Sequence, residues 1–321
     1  MLADMTTGTP RKPIAPGFQG AALSTADARR AGLTRAQLRQ AVVAHPFHGV
    51  NVVEGGGVDA VRSRLTATQR SCSDYSARML PGQFFAGGTA ALVWRAPLPR
   101  GWDERPLVVG VFSPRTPPRT RGVIGMRVGE GRVRVRTAFG FALVSPPDAW
   151  CQLASELSRE DLVAVGDYFV FGDVADGRHR SPLATVADLR EAVERHAHAS
   201  GAGELRWALP RVRTGVDSRP ESLLRLLLVG AGLPEPLVND PTPVAGGIVL
   251  RPDLKLSEWR VVFEYEGEDH WRDRRQWARD QRRRELLEGA GWKVVRVFSA
   301  DLFGDAPAFL ARVMAMLARR R

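Results

Sequence analysis

The sequence predicts an α/β C-terminal domain with a mixed sheet flanked by helices. An α+β middle domain and an N-terminal winged helix-turn-helix precede it. Three observations carry this reading. After Pro220, apolar β-branched runs alternate with helical stretches, the pattern of a sheet covered on both faces. Residues 57–210 mix several short strand signals with amphipathic helices. Residues 18–56 read as helix, tight turn, helix and short strand.

The first 17 residues are polar, contain Pro and Thr, and read as a tail. Ser24 or Thr25 caps a helix over 26–31 that stops at Gly32. Thr34 caps a second helix, 35–44, with Leu38 and Val42 at i, i+4 and Arg35, Arg39 and Gln40 on its exposed side. Gly49 to Val53 is the strand of a wing. This outline makes Arg35 and Arg39 candidate DNA contacts.

In the middle domain, 58–80 reads as a long helix stopped by Pro81-Gly82. Strands are expected at 107–112, 123–128, 132–137 and 139–144, and helices at 147–171 and 183–198. The basic loop Arg115–Arg121 reads as solvated. His196 and His198 sit two apart on different helix faces and make poor joint ligands. A polar stretch, 211–219, marks the boundary to the final domain, 220–321.

The net charge of +11 and pI of about 10.8 favour anionic partners, nucleic acid first. No apolar run spans a membrane, and no secretory signal opens the chain, so a cytoplasmic protein is expected. Cys72 and Cys151 lack metal-ligand spacing and are expected to be buried thiols.

The chemistry concentrates near the C-terminus. Acidic residues avoid strand interiors, yet Asp253, Glu264 and Glu266 interrupt two apolar strand runs, 248–256 and 259–266. Alternation puts Asp253 and Lys255 on one face of their strand, and Val262, Glu264 and Glu266 on one face of the next. A hairpin through Ser257-Glu258 brings Asp253 near Glu264. Converging carboxylates repel without a cation between them, and oxygen ligands suit Mg²⁺ or Mn²⁺. Glu221 at a helix start is a further ligand or general base, and His270 is a candidate acid/base. The helix 271–288 carries Arg272, Arg275, Arg279 and Arg283 among its arginines, with Trp271 and Trp277 interleaved, a composition suited to phosphate contact.

The run from Glu221 through Arg251-Pro252-Asp253-Leu254, Glu264-Tyr265-Glu266-Gly267, His270, Arg279 to Arg283 and Gly291 to Arg296 resembles the very-short-patch-repair (Vsr)-like endonucleases of the PD-(D/E)xK superfamily. It covers about a quarter of the chain. The resemblance implies a restriction-endonuclease-like fold, with Asp253 and Glu264 as metal ligands and Glu221, Glu266 and His270 assisting catalysis. Relatives show Glu-Tyr-Asp-Gly where this chain has Glu-Tyr-Glu-Gly, and position 266 lacks the superfamily's lysine. Lys255 is a candidate substitute. The segments Ala31 to Arg39 and Gly49-Val50 resemble the winged-helix antitoxins of type IV (AbiEi) abortive-infection systems. That likeness implies a DNA-binding wing followed by a domain that contacts a second copy or a toxin partner.

The sequence therefore leads to a Mg²⁺- or Mn²⁺-dependent DNA endonuclease targeted by its N-terminal region. Two alternatives stand beside it: a regulator or antitoxin using the nuclease fold as a scaffold, and an RNA-cleaving effector.

Overall fold

The structure, a computed structural model, describes residues 13–40, 42–54, 62–171, 174–175, 178–179, 181–216, 218–267 and 274–320. The chain is a mixed α/β protein that divides into two compact units, Met1–Gln152 and Leu153–Arg321. The division falls at 152/153.

The first unit opens with β1 (Ala22–Ser24), α1 (Thr25–Arg30), α2 (Arg35–Leu38), β2 (Val43–Ala44) and β3 (Val50–Val53). The strands form a small antiparallel sheet in the order β1-β3-β2. Both helix starts are capped by side chains. Asp27 N donates to Ser24 Oγ at 3.0 Å, and Gln37 N to Thr34 Oγ1 at 3.2 Å. Ala28, Leu33 and Leu38 form the local core with Ile14, Phe18 and Leu23. The second helix is one turn, not the expected 35–44. Val43 and Ala44 pair with β3 instead, and Val42 is exposed while Leu38 is buried. The β-branched Val42-Val43 pair and Pro46 favour extended chain over helix.

A five-stranded sheet follows. Its strands are β4 (Gln83–Phe85), β5 (Leu107–Phe112), β6 (Val123–Val128), β7 (Val135–Ala138) and β8 (Phe141–Val144), in the order β6-β5-β4-β8-β7. Helices α3 (Ala67–Ser76) and α4 (Gly87–Val93) belong to the same unit. The helix expected over 58–80 is shorter within the described residues, because Thr66 caps its start: Gln69 N donates to Thr66 Oγ1 at 3.2 Å.

α5 (Pro146–Leu153) and α6 (Arg159–Phe171) replace the single helix expected over 147–171. Ser158 begins the second one. Its Oγ accepts from Asp161 N at 3.0 Å and donates to Asp161 Oδ2 at 2.9 Å. The short pair β9 (Val174–Ala175) and β10 (Arg178–His179) follows, then α7 (Val186–Arg195), α8 (Ala202–Ala208) and α9 (Arg219–Gly230). An ionic network ties α6 to α9. Arg225 Nη2 reaches Asp167 Oδ2 at 3.0 Å, and both side chains are 1% exposed. Asp167 also accepts from Ser222 Oγ at 2.7 Å and Arg213 N at 2.6 Å, and Arg225 Nη1 reaches Glu235 at 2.7 Å. Burial pushes the Asp167 carboxyl above its ordinary range, against the pull of Arg225.

The remaining strands are β11 (Leu237–Val238), β12 (Thr242–Pro243), β13 (Val249–Leu250), β14 (Leu254–Leu256), β15 (Val261–Glu266) and β16 (Lys293–Phe298). α10 (Arg274–Gly289) joins β15 to β16, and α11 (Ala306–Ala318) ends the chain. The main sheet has the order β11-β14-β15-β16. Its first two pairings are antiparallel and the last is parallel through the α10 crossover. One face buries Leu254, Leu256, Val261, Phe263 and Val297 against Leu224 and Leu228 of α9 and Phe309, Val313 and Leu317 of α11. On the opposite face Val262 and Val294 meet Leu287 of α10, with Leu250 and Trp292 alongside. The strand expected over 248–256 is split. β13 pairs with β12, and Pro252, which has no N–H for a ladder, separates it from β14.

Candidate functional site

The site forms where β14 begins, opposite the middle of β15. The register pairs Leu254 with Phe263 and Lys255 with Val262, so its continuation sets Asp253 opposite Glu264. Side chains at such opposed positions have Cβ atoms about 5 Å apart. A direct bond fixes the placement: Tyr265 N donates to Asp253 Oδ2 at 2.7 Å. Leu254 and Phe263 point into the α9/α11 core, which leaves Asp253, Lys255, Glu264 and Glu266 on the α10 side.

Arginines face these acids. Arg283 of α10 donates through Nε to Glu264 Oε1 at 2.7 Å and through Nη2 to the Arg251 carbonyl. Arg296 of β16 reaches Glu266 Oε1 at 2.9 Å. Lys255 is 7% exposed; its Nζ pairs with Asp240, lies 3.3 Å from Thr242 Oγ1 and stands 5.5 Å from the Trp292 ring centre.

Glu221 is buried at the start of α9. Its Oε1 accepts from Ser218 Oγ at 2.8 Å and its Oε2 from Asn239 Nδ2 at 3.4 Å. The backbone N of Asn239 donates to the Asp253 carbonyl at 3.1 Å. Asn239 thus links Glu221 to the segment that presents Asp253. Its φ of +47° is one that asparagine adopts more readily than most residues. Sequence reasoning missed this residue; the only signal is an asparagine ending a strand of two residues.

The expected site residues therefore divide. Asp253 and Glu264 are brought together, Glu266 lies two residues on along the same face, and Glu221 is tied in through Asn239. His270 and Arg272 lie outside the described residues, as does the side chain of Arg275. Arg279 is exposed on α10, and Arg283 is engaged with Glu264. Arg35 and Arg39 are exposed in the first unit.

Among the described residues no group of three or more His, Cys, Asp or Glu side chains is placed to hold a metal ion. Asp253 and Glu264 supply two hard carboxylates. That donor type and number fit Mg²⁺ or Mn²⁺, which keep water ligands and take substrate phosphate oxygens to complete their shells.

No protein-family model matches the chain, and no solved structure matches it. Uncharacterized proteins from two strains of Mycobacterium tuberculosis are each 26% identical to it over 273 residues, covering 84% of this chain and 96% of theirs. Among the described residues no helix is long and apolar enough to cross a membrane.

Proposed function

We propose that the chain is a metal-dependent DNA endonuclease whose centre is the Asp253–Glu264 pair. The observation that carries this reading is the paired carboxylates on the polar face of a mixed sheet. A buried lysine stands two residues from one of them, and an arginine-bearing crossover helix covers the other. Asp253 and Glu264 would hold Mg²⁺ or Mn²⁺. When bound, such an ion supplies a Lewis acid that activates water and stabilises charge on the phosphate. Glu221 and Asn239 hold the Asp253 segment in place. Arg279 offers a guanidinium to the DNA backbone. Glu266 and Arg296 set the charge beside the pair, and His270 is assigned the proton-transfer role that the resemblance implies.

The Arg283–Glu264 pair competes with metal, since both cations seek one carboxylate. Replacing Arg283 by glutamine removes a charge-assisted hydrogen bond of about 1.5–3 kcal/mol. Calorimetric titration should show Mn²⁺ bound about tenfold more tightly by Arg283→Gln than by the parent. Unchanged or weaker binding by the variant would count against a metal at Glu264.

The two arginine–glutamate pairs favour a second reading, a DNA-binding regulator in which the sheet is a scaffold and its acids serve as structural partners. That reading expects no Mn²⁺ binding by either protein and DNA affinity indifferent to EDTA.

A further inference from the structure

We propose that the principal polyanion-binding surface lies on the first unit, at the exposed arginines of β6, β7 and the connection between them: Arg127, Arg132, Arg134 and Arg136. Its partner is the phosphate backbone of duplex DNA. The inference stands independently of the nuclease reading and of the helix-turn-helix.

Charge divides unevenly between the two units. Met1–Gln152 carries 20 arginines and lysines against 9 aspartates and glutamates, while Leu153–Arg321 carries 26 of each. The whole net charge of +11 therefore belongs to the first unit. The arginine-dense α10 sits in the neutral one. There Arg282, Arg283 and Arg284 pair with Glu285, Glu264 and Glu288.

The surplus is concentrated further. Residues 105–147 hold eight arginines and one acid, Glu130, and all eight arginines are exposed. The nearest following acid, Asp148, is fully buried and accepts from Arg134 N at 2.8 Å and Ser145 Oγ at 2.7 Å.

Topology gathers this composition onto two edge strands and the segment between them. β6 and β7 are the two edges of the sheet, yet consecutive in the chain. Residues 129–134 join these two edge strands and turn at once, for Arg132 N donates to the Gly129 carbonyl at 3.2 Å. Val133 tucks inward at 5% exposure, while Arg132 and Arg134 remain exposed. The connection is held where it enters β7, for Ser145 N donates to the Arg134 carbonyl at 2.7 Å. Arg127 on β6 and Arg136 on β7 are exposed on the strands that this connection joins. The loop carrying Arg115, Arg119 and Arg121 lies against β6, for a Cβ on Gly125 would stand 2.2 Å from the Pro118 carbonyl oxygen. Guanidinium forks match phosphate oxygens two at a time, and several exposed arginines on one connection and the strands it joins can neutralise several phosphates of one duplex.

The test uses the full chain in EDTA, a labelled 30-base-pair duplex and fluorescence anisotropy across a salt series. Changing Arg127, Arg132, Arg134 and Arg136 to glutamine should weaken binding at least tenfold near physiological salt. The slope of log affinity against log salt should fall by about 3–4, close to 0.9 for each phosphate no longer neutralised. A control on α10 with Arg282 and Arg284, which are paired with Glu285 and Glu288, changed to glutamine should shift the slope by less than about 1. If the fourfold variant fails to fold, Arg127→Gln and Arg136→Gln singly should each lower the slope by about 1. Slopes unchanged in these variants, a weakening confined to the α10 control, or binding to phosphatidylserine vesicles but not to DNA would overturn the proposal. Cleavage is read separately, so loss of cleavage with binding intact bears on the nuclease reading alone.

Discussion

Asparagine at position 253 is expected to reduce metal-dependent DNA cleavage by at least about a hundredfold, as removal of a direct metal ligand should when water activation depends on it. The side chain keeps its shape, so its bond with Tyr265 N and the hairpin register should persist. DNA affinity in EDTA should therefore stay within about twofold of the parent. Glu264→Gln should behave alike, with one difference: it also frees Arg283, which is held by Glu264 in this structure. Cleavage rates for parent and variants, measured beside anisotropy, separate chemistry from binding. Equal cleavage by the parent and Asp253→Asn would remove Asp253 from the reaction.

The second large effect is on stability. Arg225 and Asp167 are almost wholly excluded from water and bonded to each other. Replacing Arg225 by methionine strands a buried carboxylate and should cost about 3–5 kcal/mol. The double variant Arg225→Met with Asp167→Leu removes both charges and should recover much of that loss, since well-packed apolar groups replace buried ion pairs at little cost. Urea unfolding of the full chain measures both. A loss below about 1 kcal/mol in the single variant would show that α6 and α9 do not depend on this network.

What is legible in the sequence follows from how local each signal is. Alternation in Val261–Glu266 sorts Val261, Phe263 and Tyr265 from Val262 and Glu264 without any tertiary knowledge, and the two apolar clusters divide in that way. The opposition of Asp253 and Glu264 follows from a short hairpin. Cap residues mark helix starts, but the cap at Thr66 and the break at Ser158 are masked because apolar periodicity continues across both. α2 stops early because strand pairing of Val43 and Ala44 competes for the same residues, and that partner lies in β3. Bonds between distant segments leave no local trace. Lys255 meets Asp240, Arg283 reaches Glu264 nineteen positions away, and Asn239 bridges Glu221 and Asp253. The uneven division of charge can be counted from the sequence, but it acquires meaning only once the boundary at 152/153 is known.

The central claim is that the carboxylate pair hydrolyses DNA with a divalent ion. Its most direct test is incubation of the full chain with supercoiled plasmid in Mg²⁺, in Mn²⁺ and in EDTA, resolved on an agarose gel. Nicked and linear plasmid accumulating with either metal and absent in EDTA is the predicted result. Intact plasmid under every metal and salt condition, with DNA bound throughout, would contradict the claim and leave the scaffold reading in its place.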